Sequence, residues 1–66
     1  MTVEFMFMDD IIHREWNVSG GFILPRKDEW VIFGEDEYRV AYVAHNFSNQ
    51  TIYVQSYDKH KIQSFK

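Results

Sequence analysis

Three histidines, His13, His45 and His60, are the only imidazoles in the chain. A zinc site needs three or four ligands converging in space, and no two of these histidines share a close ligand spacing such as H-x-x-x-H. The sequence has no cysteine, which removes thiolate ligands, disulfides and a cysteine nucleophile together. His13 and His45 fall on different expected strands, where an isolated histidine reads as a half-exposed surface residue. Ser19 stands beside Gly20-Gly21, but no strand-to-helix turn is at hand to make it a hydrolase nucleophile. Asp9-Asp10 and Glu35-Asp36-Glu37 read as turn residues in preference to an acid/base pair, and the glycines match no phosphate-cradling motif. The sequence therefore predicts a non-enzyme without metal, cofactor or catalytic residue.

Charge narrows the partners. The chain of 66 residues carries a net charge of −3, which gives no electrostatic case for tight binding to phosphate backbones. Its distribution is uneven: Asp28-Glu29 and Glu35-Asp36-Glu37 make an acidic middle, and Lys59, His60, Lys61 and Lys66 a basic end. Small barrels do bind single-stranded nucleic acid on aromatic platforms flanked by cations. Tyr38, Tyr42, Tyr53 and Tyr57 with Arg14, Arg39, Lys59 and Lys61 would be the residues, and the acidic balance disfavours them. No basic stretch followed by an apolar run opens the chain, so a cytoplasmic protein without a signal segment is expected. No apolar run approaches the roughly 20 residues of a membrane span. Sequons at Asn17, Asn46 and Asn49 then read as turn sequence.

The elements that hold these residues are all strands. Thr2 to Met8 alternates Val3, Phe5 and Phe7 with Glu4, Met6 and Met8, the two-residue period of a β-strand. Asp9-Asp10 turns it into a second strand reaching Val18, and Ser19-Gly20-Gly21 ends that strand. Phe22-Ile23-Leu24-Pro25 holds the chain's one proline and is expected to pack over a barrel opening instead of joining the sheet. Trp30 to Phe33 is a short strand of strong β-formers, and Gly34-Glu35-Asp36 reverses the chain. Glu37 to Phe47 carries apolar residues on both parities, as in a strand that swaps its buried face through a bulge. Thr51 to Tyr57 is the fifth strand. The expected domain spans residues 1–58, with 59–66 a short basic tail. The class is all-β: a small five-stranded SH3-like barrel with an N-terminal β-hairpin, closure being favoured because it removes exposed sheet edges.

The segments Leu24-Pro25-Arg26-Lys27-Asp28-Glu29-Trp30-Val31, then Gly34, Tyr38-Arg39-Val40-Ala41-Tyr42-Val43 and Ile52-Tyr53-Val54 resemble a pattern in small uncharacterised proteins of phage and bacterial mobile elements. There a Pro-Arg-x-Gly-Asp turn leads into a strand, a Gly hairpin, a Tyr-x-Val-x-x-Val strand and a closing Val-x-Val strand. The resemblance covers about two thirds of the chain. It implies an SH3-like barrel with its usual N-terminal hairpin, here Val3 to Val18, and a mobile-element origin. It supplies no catalytic residues. Several phage proteins of this size bind and disable a host protein, including those of immune defence.

Six Phe, four Tyr and two Trp are a large aromatic supply for a domain that buries only about 60% of its unfolded surface. Trp16, Phe22, Trp30, Phe33, Phe47, Met6 and Met8 exceed what one tiny core hides, so some are expected outside, facing a partner, the alternative being that the tail and the Phe22 loop cover them within the same chain. A host protein and a second copy in a twofold homodimer are the expected partners. The expected protein-binding residues are Met6, Met8, Trp16, Phe22 and Trp30, with Glu35 and Asp36 as a charged rim. The alternatives are a single-strand-binding barrel and a structural component of a virion or larger assembly.

Overall fold

The computed structural model describes residues 1–18 and 22–62. Among them the chain forms five strands: β1 (Thr2–Phe7), β2 (Asp10–Glu15), β3 (Trp30–Phe33), β4 (Asp36–Asn46) and β5 (Thr51–Lys61). None of the described residues is helical, and no helix long and apolar enough to cross a membrane is present among them. The strands lie in one sheet in the order β2-β1-β5-β4-β3. Neighbours pair antiparallel except β1 and β5, which run parallel with Val3 opposite Ile52 and Phe5 opposite Val54.

The sheet curls far enough for its two outermost strands to meet through side chains. The His13 ring on β2 lies 4.7 Å from the Phe33 ring on β3, and Phe5 of β1 packs edge-on to Phe33 at 5.0 Å. The all-β class stands, as a curled half-barrel whose edges β2 and β3 share no ladder among the described residues. Its concave side buries Val3, Phe5, Val40, Ile52 and Val54, with Val18, Phe22, Leu24, Val31, Phe33 and Val43 packed against them. Phe22 and Leu24 thus cover the core from the long connection before β3. Tyr38 closes one end, packed on Phe7 at 5.6 Å, with the Lys59 ammonium 5.3 Å from the Phe7 ring centre.

Bulges decide which residues face inward. In β4 the buried parity runs through Tyr38 and Val40 and then shifts to Val43, because Ala41 is an extra residue between the Val40–Ser56 and Tyr42–Gln55 pairs. Tyr57 is the matching extra residue on β5, between Ser56 and the Arg39–Asp58 pair. A bulge inserts one unpaired residue, and a single-residue slip turns every later side chain over.

Turn chemistry supplies the connections. The β3–β4 link is Gly34-Glu35 with Gly34 at φ 63°, the glycine position of a two-residue type II′ hairpin. Asn46 Oδ1 accepts the amides of Ser48 and Asn49 across the β4–β5 turn, the local bonding that favours asparagine there. Ahead of β3, Glu29 N donates to Arg26 O at 3.0 Å and Glu29 Oε1 accepts Arg26 N at 2.7 Å. The residue of this turn with positive φ is Asp28, at 74°, so Asp28 is the position that asks for glycine. Asp28→Gly is expected to raise stability by about 0.5–1 kcal/mol, and Gly34→Ala to lower it by at least as much, since only glycine occupies such angles without strain. Chemical denaturation midpoints of the two variants check this pair.

Several boundaries move. The first reversal is centred on Met8-Asp9, both at positive φ (51° and 72°), so Asp10 belongs to β2 and Met8 leaves β1. β2 ends at Glu15, ahead of Asn17 at φ 54°. β4 begins at Asp36 and stops before Phe47. The expected break after residue 58 falls inside β5, which pairs with β4 as far as Asp36–Lys61. The expected stop at Ser19-Gly20-Gly21 and the tail residues 63–66 lie outside the described residues.

Candidate binding surfaces

Each expected binding residue has a definite place. Met8 is exposed at the tip of the β1–β2 turn, and Met6 is half-buried on β1. Trp16, 66% exposed, follows the far end of β2 from that tip, with the Arg14 guanidinium 5.7 Å from its ring centre. Six strand residues span about 17–20 Å, so Met8 and Trp16 mark opposite ends of β2 and do not share one patch. Trp30 opens β3 on the other edge of the sheet, exposed, with its ring 5.5 Å from His60. Glu35 lies exposed at the β3–β4 turn and pairs with Lys61 at 3.7 Å, and Asp36 is half-buried at the start of β4. Phe22 belongs with the core-covering residues. Among the other large side chains Phe33 packs inward, while Phe47 is 83% exposed.

Three residues absent from those expectations matter as much. Ile11 and Ile12 are exposed on the edge strand β2, and Ile32 on the edge strand β3. The outer faces of both edges are therefore apolar, Ile11 and Ile12 on one and Trp30 and Ile32 on the other. The signal for this was present in the alternation of Trp30-Val31-Ile32-Phe33, where Val31 and Phe33 pack inward and their neighbours point out.

The chemistry-bearing groups are dispersed. Each histidine rests against a different aromatic: His13 on Phe33, His45 on Phe47 and His60 on Trp30. No three His, Asp or Glu side chains converge as metal ligands among the described residues. The residues weighed for a single-strand platform are scattered as well. Tyr38 is buried, Arg14 pairs with Glu4, Arg39 with Asp58 and Lys61 with Glu35. The two tyrosines that do approach are Tyr42 and Tyr57, with ring centres 6.5 Å apart.

That pair carries a titration. The half-exposed Tyr57 phenol is held above the ordinary value of 10.0, first by the neighbouring Tyr42 hydroxyl, then by partial desolvation, then by the negative potential of Tyr42 and Asp9. The fold thus favours the protonated phenol. Its contribution is complete below the unfolded value and is lost as pH rises through the raised folded value. Urea midpoints are expected to fall above about pH 10, and the fall is expected to be shallower in Tyr57→Phe.

The side chains beneath these surfaces hold the β1–β2 tip in place. Gln55, 2% exposed, accepts the Asp9 amide through Oε1 at 3.3 Å and donates through Nε2 to Asp9 Oδ1 at 2.9 Å. Ser56 Oγ donates to the Met6 carbonyl, and Met8 N donates to Ser56 O at 3.0 Å. β5 therefore fixes the Met8 tip from below. Comparison with known proteins finds no matching family model, no matching curated protein and no matching solved structure.

Proposed function

We propose that the chain is a non-enzymatic protein-binding module, an inhibitor or adaptor of the phage type that acts as a homodimer on a host protein in the bacterial cytoplasm. In this reading the scaffold is an SH3-like barrel with an N-terminal β-hairpin. The observation that carries the proposal is that, among the described residues, the sheet ends at β2 and β3 with no strand paired beyond either, and each carries large exposed apolar side chains. An edge strand offers a row of free N–H and C=O groups, and proteins that keep one open either blunt it or pair it with another chain. These edges carry isoleucine and tryptophan where a blunted edge carries lysine or proline.

The longer edge, β2 with Ile11 and Ile12, suits a twofold pairing with its copy, because antiparallel self-pairing brings the same patch together from both sides. The β3 edge, with Trp30 and Ile32 beside the acidic Glu35 and Asp36, then faces the host protein. Tryptophan at the centre and charge at the rim is the usual composition of a protein interface.

Light scattering at micromolar concentration is expected to give the mass of a dimer, and Ile12→Lys to return it to a monomer. Trp30→Ser with Ile32→Lys is expected to abolish binding to the host protein while leaving the dimer intact. A monomeric mass, together with no partner recovered from host lysate, would overturn the reading.

A further inference from the structure

A cleft of about 340 Å³ lies between the segment leading into β3 and the second half of β4. Leu24 and Val43 give it an apolar floor, Tyr42 an aromatic wall, and Arg26, Lys27 and His45 a polar mouth. The volume sits at the lower end of the roughly 300–1,000 Å³ range of small-molecule sites. One wall is well braced. Asp28 N donates to Val40 O and Val40 N to Glu29 O, both at 2.8 Å, so the Arg26–Glu29 turn is tied to β4.

The cations at this mouth differ from most others in the described chain. Arg14, Arg39 and Lys61 each pair with a carboxylate, and Lys59 lies against Phe7. Arg26 and Lys27 form no ion pair with any described residue. The acids next to them in sequence do not line the cleft, and Glu29 is turned to the Arg26 amide. Two adjacent uncommitted cations beside an exposed tyrosine ring, in a chain of net charge −3, are placed to take a ligand that is both anionic and flat.

We propose that this cleft binds a nucleoside 5′-monophosphate, either free or as the 5′-phosphorylated end of a single strand, with its base against Tyr42 and its phosphate between Arg26 and Lys27. An open, shallow wall favours a base, whose π-face stacks on tyrosine without an enclosing pocket. The guanidinium and ammonium supply charge-assisted hydrogen bonds to phosphate oxygens, and the His45 ring stands at the same mouth. The tyrosine and cations concerned are distinct from the edges assigned to protein partners, so this inference is independent of the one above.

The test is a titration of the ¹⁵N-labelled protein with adenosine 5′-monophosphate, followed by amide chemical shifts. Saturating shifts confined to residues 24–27 and 42–45 are expected. Arg26→Ala with Lys27→Ala is expected to weaken binding about tenfold or more. Tyr42→Ala is expected to weaken it similarly, and Tyr42→Phe, which keeps the ring, to leave it within about twofold. A short 5′-phosphorylated oligothymidylate and the same strand without phosphate are titrated in parallel. Tighter binding of the phosphorylated strand than of the mononucleotide assigns the site to strand ends, and the reverse order to free nucleotide. No saturation by about 5 mM nucleotide, affinity unchanged in the double variant, or tighter binding of N-acetylphosphotyrosine amide than of either nucleotide would overturn the proposal.

Discussion

Phe5→Ala is expected to leave much of the chain unfolded at room temperature. Phe5 is 6% exposed and belongs to the buried cluster with Val3, Val40, Ile52 and Val54. Its ring also touches both edges of the sheet, lying 5.0 Å from Phe33 on β3 and 5.9 Å from His13 on β2. It is therefore the residue through which the curl closes. Truncating a buried phenylalanine costs about 3–5 kcal/mol through lost transfer energy and the cavity left behind. A core in a domain of this size supplies about 3–5 kcal/mol of net stability, so the two terms nearly cancel. Far-UV circular dichroism and a urea titration measure the outcome. Phe47→Ala, at a ring that is 83% exposed, is the matched control and is expected to change stability by no more than about 0.5 kcal/mol.

Gln55→Met is expected to cost about 2 kcal/mol and to loosen the β1–β2 tip before the rest of the sheet. The substitution conserves volume but removes both bonds to Asp9, one of them to a carboxylate, and hydrogen bonds to charged groups contribute about 1.5–3 kcal/mol. The turn it releases is already strained, because Met8 and Asp9 both hold positive φ without being glycine. The denaturation midpoint reports the total cost, and hydrogen exchange at the Asp9 amide reports where it falls. An unchanged midpoint with an unchanged Asp9 exchange rate would show that β5 does not hold this turn. Met8→Gly in the Gln55→Met background is expected to recover about 0.5–1 kcal/mol by relieving one strained position. The pair of variants also bears on binding, since Met8 is exposed at the tip that Gln55 orients.

Local chemistry was legible in the residues. Gly34 marks the β3–β4 reversal, Asn46 and Asn49 build the following turn from their own side chains, and Phe22 and Leu24 ahead of Pro25 cover the core. The mixed parity of β4 also announced its bulge. Other features were not readable. His13 turns toward the core side and Trp16 outward, although an apolar count along β2 gives tryptophan the stronger claim to the interior. Gln55 reads as an ordinary polar strand residue, and its burial follows only from Asp9, 46 positions away, arriving above it. Period-two alternation separates two faces of a strand, but where both faces carry apolar residues it does not say which one is inside.

The candidate surfaces divide in the same way. Composition alone required that some large apolar side chains stay outside, because a chain of 66 residues has too little interior for twelve aromatic rings and their aliphatic neighbours. Which ones stay outside was settled by pairings between distant segments. The parallel β1–β5 contact places β2 and β3 at opposite edges, and the bulges at Ala41 and Tyr57 then turn the outer ends of β4 and β5 over. All-β class, turn positions and aromatic surplus are properties of neighbouring residues and of totals, so the sequence by itself determined them. Strand order, the open edges and the cleft beside Tyr42 arise from contacts between residues far apart in the chain, and only the tertiary structure decided those.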